Sequence, residues 1–269
     1  MTVNRGRLML AAALVMIVHT LLYGQPFPLA AEPYRFLWLG LSGLIGLALG
    51  DSLLFQCYVL IGPRIGILLL SLGPVFGTLI AWLLLGERLT LVELAAMALA
   101  LGGMTWVVLE RGNGANPTPA EGRRYGTGIL LGAGAALCQS TGLVVAKLGL
   151  AGGFPALSAV VIRMTVAMAV MWLWTALRGQ AGSTIRRLRG DPQTSLAIFG
   201  GTVIGPFIGV WLSLVAVQAA LVGVASTLMA MSPVLSLPLA RWVSHERVSR
   251  YAVLGTVVAM IGVACMFLV

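Results

Sequence analysis

The sequence predicts an all-α integral membrane protein of about nine transmembrane helices in two inverted repeats, the second of five helices and the first lacking its first helix. Three observations carry that prediction. The 269 residues are 59% hydrophobic and only 9% charged, whereas an ordinary soluble domain carries about 25% charged residues. Mean hydropathy is +1.00, more apolar side chain than a globule in water can hide. Finally, the stretch from Gly46 to Arg88 returns between Gly205 and Arg247 without a gap.

Nine apolar runs are long enough to cross about 30 Å of hydrocarbon as helices of roughly 20 residues. They are Leu8 to Gly24, Leu37 to Tyr58, Pro63 to Leu85, Leu91 to Leu109, Gly126 to Leu148, Pro155 to Leu177, Leu196 to Gln218, Leu221 to Val243 and Tyr251 to Val269. Lipid offers open backbone groups no partner, so the runs read as a helical bundle. The first run follows Arg5 and Arg7 and has some character of a cleaved signal peptide. It reads as a span instead, because Arg5 stands before it as Arg163 stands in the sixth run. Polar breaks fall at Gln25 to Arg35, Glu110 to Tyr125 and Arg178 to Pro192.

The repeat pairs Gly46 with Gly205, Gly50 with Gly209, Leu53 with Leu212, Leu69 with Leu228, Pro74 with Pro233, Glu87 with Glu246 and Arg88 with Arg247, at a constant spacing of 159 residues (246 − 87). The division is 1–110 for the first copy with four helices, 111–125 for a polar linker and 126–269 for the second copy with five. The missing span belongs before Met1, either lost from a truncated start or absent from a natural nine-span chain. Five crossings separate Glu87 from Glu246, an odd number, so equivalent residues emerge on opposite faces. Inverted repeats of this kind offer an inward-facing and an outward-facing state and occur in many secondary transporters.

A net charge of +9 suggests nucleic acid in a soluble protein, but here the arginines lie in short gaps between apolar runs, where they set orientation. Thirteen Lys and Arg fall on the side of the N-terminus and four (Arg35, Arg88, Lys147, Arg163) on the other. The count places the N-terminus inside and the C-terminus outside. Cys57, Cys138 and Cys265 lie inside apolar runs without metal-ligand spacing and read as small packing residues.

The segments Pro74 … Gly86-Glu87-Arg88-Leu89-Thr90 and Pro233 … His245-Glu246-Arg247-Val248-Ser249 each join one apolar helix to the next. This doubled pattern resembles the repeat signature of the drug/metabolite transporter superfamily, specifically EamA-type permeases, over nearly the whole chain. The resemblance implies ten helices in two inverted halves, a central cavity, passage of small metabolites, and a cytoplasmic C-terminus, against the arginine count.

Asp51 is the only carboxylate in the middle of an apolar run. An ionisable group at that depth is costly and marks a functional candidate; its counterpart in the second copy is Val210, so packing does not require an acid there. Burial disfavours the ionised carboxylate, which would let Asp51 trade a proton or bind a cation during transport. The alternative is an Asp bonded to nearby Ser or backbone groups, Ser52 being next to it. Trp211 lies one residue past the Asp51 equivalent, and with Phe55 and Tyr58 it either lines an aromatic cavity for amphipathic or cationic solutes or packs against lipid and core. Gln139, Ser140 and Thr141 either join helices or face the cavity. Pro74 and Pro233 read as mid-helix kinks, acting as hinges or as packing geometry.

Glu87, Arg88, Glu246 and Arg247 read as a structural repeat motif at the interface, with Thr90 and Ser249 capping the next helix. Rows of glycine at Gly46 and Gly50 and at Gly201, Gly205 and Gly209 bring helices close. Arg163 reads as snorkelling to the interface in preference to an anion site. His19 and His245 have no partner set by spacing.

An intramembrane enzyme would need a Ser/His pair at depth, an HExxH or paired carboxylates for metal chemistry, and none of these patterns occurs. The reading is a non-enzymatic secondary-active transporter of a small organic solute in the cell (inner) membrane, multi-pass, working by alternating access with proton coupling through Asp51. Its partners are that solute and the lipid bilayer, with no nucleic acid, no metal and no cofactor, and a homodimer left open. The alternative is a non-transporting scaffold or an inactive truncated permease.

Overall fold

The structure is a computed structural model that describes residues 2–110, 119–182, 184, 192–231 and 250–267. Among them the chain is helical, with no strand. The helices are α1 (Thr2–Tyr23), α2 (Pro33–Ser42), α3 (Asp51–Leu70), α4 (Gly73–Leu85), α5 (Leu91–Glu110), α6 (Pro119–Leu150), α7 (Ala156–Leu177), α8 (Pro192–Thr202), α9 (Val210–Ala219), α10 (Val222–Ala230) and α11 (Arg250–Phe267). Among the described residues, five helical stretches are long and apolar enough to cross a bilayer: Val3–Tyr23, Pro33–Pro63, Arg124–Gly153, Ala156–Leu177 and Ile198–Ala219. At 1.5 Å per residue the 22 residues of α1 reach about 33 Å, enough for the hydrocarbon core.

Two stretches depart from α geometry in the same way. Gly43–Gly50 joins α2 to α3 as π-helix, and Val203–Gly209 joins α8 to α9 as π-helix. They lie at the repeat spacing, ending at the paired glycines Gly50 and Gly209. The helix breaks recur too. Gly62, at φ 83 and ψ 157, interrupts α3 just before Pro63, and its counterpart Leu221 is extended, at φ −61 and ψ 144, just before α10.

The run from Pro63 to Leu85 is therefore not one helix with a central proline. It breaks between Leu70 and Gly73, and Pro74 lies in the first turn of α4, buried. Proline suits that place because the first-turn N–H needs no helical partner and its fixed φ is already helical. Pro233, Glu246 and Arg247 lie outside the described residues.

The repeated motif explains itself locally in the first copy. Gly86 is left-handed at φ 68 and closes α4, its N–H bonding the Ala81 carbonyl. Thr90 and Glu93 then form a capping box for α5, with Glu93 N–H to Thr90 Oγ1 at 3.2 Å and Thr90 N–H to Glu93 Oε2 at 2.7 Å.

The chain divides into two compact units, 1–55 with 141–219 and 56–140 with 220–269. Each draws on both sequence copies. In the first unit, α1 packs on α7 through a face at helical spacing in which Leu8, Ala11, Ala12, Val15 and His19 are buried. His19 is fixed there: Nδ1 lies 2.6 Å from the Gln25 carbonyl and Nε2 2.9 Å from Ser158 Oγ. Ile17, Leu21 and Leu22 on the outer side stay exposed, as lipid-facing side chains do. Gly43 carries a close approach. A Cβ there would stand 2.2 Å from the Arg163 carbonyl oxygen, so a side chain would push the π-helical stretch off α7.

In the second unit, α5 and α11 meet through small residues. A Cβ on Gly103 would lie 2.5 Å from Ala259 N and 2.7 Å from Gly255 O, and one on Gly262 would lie 2.5 Å from Ala100 N and 2.8 Å from Ala96 O. Gly103 with Gly262, Ala100 with Ala259, and Ala96 with Gly255 are repeat counterparts. The contact is reciprocal, as across a two-fold axis, and it pairs rising positions on α5 with falling positions on α11.

Candidate functional site

The π-helical stretch Gly43–Gly50 ends where Asp51 begins α3. Such wide turns cluster at functional sites because they re-aim the side chains that follow. Asp51 is 7% exposed, and its Oδ2 accepts from Arg7 Nη2 at 3.3 Å. Phe55 stands four residues on, on the same helical face. Its ring lies 5.0 Å beneath the Arg7 guanidinium, a cation–π contact. Ser52 is buried and tied three ways: its Oγ donates to the Ala48 carbonyl at 2.5 Å, accepts from Asn4 Nδ2 at 3.4 Å and touches Met171 Sδ at 3.7 Å. Thus Asp51, Ser52 and Phe55 meet α1 through Asn4 and Arg7, two residues the sequence alone did not single out as partners.

Two further arginines lie in the same unit. Arg5 is buried and donates to Thr184 Oγ1 at 2.9 Å and Gln180 Oε1 at 3.2 Å, both neutral. Arg163 does not snorkel. It is 3% exposed. Among the described residues neither Arg5 nor Arg163 makes a salt bridge, and no hydrogen-bond partner meets Arg163 Nε or Nη1. Arg5, Arg7, Asp51 and Arg163 are thus among the charged side chains held by apolar spans, where lone charges are expensive.

Other expected site residues lie elsewhere. Trp211 packs on Phe207, ring centroids 6.2 Å apart, in the first unit. Tyr58 belongs to the second, where a Cβ on Gly66 would lie 2.5 Å from its ring. Ser140 is buried and donates to the Gly73 carbonyl at 2.8 Å, which joins α6 to the start of α4 beside Pro74. Gln139 is half-buried on the same helix. Glu87 accepts from the Val222 N–H at 2.8 Å and so caps α10 across 135 residues of chain; Arg88 is exposed. Cys57 is buried, and a Cβ on Gly132 would lie 2.9 Å from its Sγ, a packing position.

Arg35 closes a second polar knot in the first unit. Its guanidinium pairs with Glu32, donates to the Gly149 and Ala151 carbonyls at 3.1 and 2.7 Å, and lies 4.6 Å over the Phe154 ring. A cation there satisfies the open carbonyls at the end of α6 and opposes the negative end of its dipole. The hydrogen bond from Arg35, with help from its own backbone, holds the Glu32 carboxyl below its usual range.

Long apolar helices around buried charge define a multi-pass helical membrane protein. The sequence matches the EamA-like transporter family over residues 1–109 and 126–268, nearly the whole chain, and the protein belongs to that family. Twenty-three solved chains also match. One, a crystal structure described only as that of a "protein", is similar with a TM-score of 0.75 at 20% identity, over 99% of this chain and 86% of that one, which shows a shared fold. Comparison with curated proteins found no match.

Proposed function

We propose that the protein is a secondary transporter that carries a small organic solute across the membrane by alternating access, with Asp51 as a coupling residue. The observation that carries the reading is the Arg7–Asp51 pair, in which a half-buried guanidinium meets a buried carboxylate that directly follows a π-helical stretch within an apolar span. A scaffold needs no ionised groups there. Protonating Asp51 would release Arg7, so proton uptake and solute contact share one carboxylate. The inverted repeat is supported by the matched π-helical stretches, by the breaks at Gly62 and Leu221, and by the reciprocal Gly103 and Gly262 contacts, whose opposed order suits copies of opposite topology.

Thermal unfolding of the detergent-purified protein against amino acids, nucleosides, sugars and lipophilic cations at two pH values, with Asp51→Asn alongside, tests this. A solute bound by the folded state stabilises it by mass action. A pH-dependent stabilisation changed by Asp51→Asn is expected. No stabilisation by any solute, with the variant behaving like the parent, favours a scaffold.

A further inference from the structure

His19 is a buried titratable side chain used neither by the Asp51 site nor by the repeat motif. It is 1% exposed and lies 12 residues (19 − 7) beyond Arg7 on α1, about 18 Å along the helix. Both ring nitrogens are engaged. Nδ1 lies 2.6 Å from the Gln25 carbonyl oxygen, which can only accept, so Nδ1 carries a hydrogen. In the neutral ring Nε2 is then the acceptor, and Ser158 Oγ, 2.9 Å away, donates to it. Tyr23, one turn further along α1, lies against the ring with centroids 4.8 Å apart. One imidazole thus joins the end of α1, the connection that leaves it and the first turn of α7.

A proton on Nε2 would undo this arrangement. Ser158 would have to turn its hydroxyl from donor to acceptor, and the Phe154 carbonyl one turn before it already accepts from Gln218 Nε2 at 3.0 Å. The imidazolium would also stand away from water, where an unpaired charge is costly. The elements packed against α1 offer it no acid. α7 carries Arg163, while α8 and the π-helical Val203–Gly209 carry no charge, and α1 itself carries Arg5 and Arg7. Glu32, in the connection to α2, pairs with Arg35, and Asp51 pairs with Arg7; neither of these ion pairs includes His19.

We infer that His19 is a proton-operated latch: the neutral ring holds the end of α1 and the connection after it onto α7, and protonation releases them. The latch answers to pH at this end of α1, separately from Asp51 near the other, and it does not depend on the transporter reading.

The chain has two histidines, so His245→Gln leaves His19 as the one imidazole. In that variant, purified at full length in detergent, nitrogen-15 NMR of the ring reads the tautomer and the protonation state. Hydrogen–deuterium exchange over 19–31 and 154–160, corrected for the intrinsic effect of pH, reads the latch. At about pH 8 the ring is expected to carry hydrogen on Nδ1 only, and at about pH 5 on both nitrogens, these values flanking the ordinary histidine range. Exchange over both segments is expected to rise about tenfold with that protonation, the equivalent of one lost hydrogen bond. His19→Gln, whose amide is neutral throughout, is expected to show no such rise. If it does not fold, Ser158→Ala takes its place, with exchange expected to be raised at the higher pH already and to change less on acidification.

Hydrogen on Nε2 in the neutral ring, a ring that stays neutral until the whole chain unfolds, or a ring that titrates with exchange unchanged each overturns the inference. So does an exchange response that persists in His19→Gln, which would assign it to Glu32 or Asp51.

Discussion

Arg7 Nη2 stands 3.3 Å from Asp51 Oδ2, with the side chains 24% and 10% exposed. Removing either partner leaves a charge in an apolar setting, which costs more than the pair contributes. Asp51→Asn and Arg7→Gln are each expected to destabilise the protein by about 1–3 kcal/mol, and the double variant by clearly less than their sum. A double-mutant cycle on thermal or denaturant unfolding checks this; additive losses would mean that the two groups do not interact.

Gly103 and Gly262 face backbone atoms with no room to yield. Gly103→Val and Gly262→Val are expected to cost about 1–3 kcal/mol or more each, by similar amounts, because the contacts are reciprocal. Gly205→Ala is the control, since nothing lies within 4 Å of a Cβ there, and it is expected to be near neutral. Melting temperatures of the three variants in one detergent decide the matter.

Glu87 acts through the Val222 N–H at the start of α10. Glu87→Ala is expected to lose about 1 kcal/mol, the usual scale for a lost helix cap, without changing the pH dependence of solute binding. A change in that pH dependence would move Glu87 from architecture into the site.

Glu32 is held in its ionised form by Arg35, so its folded pKa lies below its unfolded one. The stabilisation is present above the unfolded value and fades as pH falls through the folded one. Glu32 is exposed, so the effect is small. Melting temperature is expected to drop less steeply on acidification in Glu32→Gln than in the parent, and identical slopes would contradict the assignment.

Much of this architecture was legible in the chain. The low charge and long apolar runs announce a helical membrane protein, and the Gly86 to Thr90 segment announces a helix end and a helix start because αL glycines and threonine caps are local devices. Asp51 stood out because an acid inside an apolar run has few inexpensive explanations. Its partner did not. Arg7 is 44 residues away, and nothing in a sequence of arginines says which will pair and which will snorkel; Arg163 in particular is buried where its depth in the run suggested the interface. Pro74 misled for a related reason. A proline in a long apolar run fits both a kink and a helix start, and only the backbone shows that the chain breaks before it. The compact units, each built from both copies, depend on tertiary packing that periodicity does not encode.

The central claim is tested most directly by flux in proteoliposomes. The purified protein, reconstituted with an imposed pH gradient, is loaded with the solute that most stabilises it, and exchange of labelled solute is followed for the parent and for Asp51→Asn. The account predicts saturable, trans-stimulated exchange in both and gradient-driven accumulation in the parent only. Exchange no faster than in protein-free vesicles would contradict transport, and equal accumulation by Asp51→Asn would contradict coupling through Asp51.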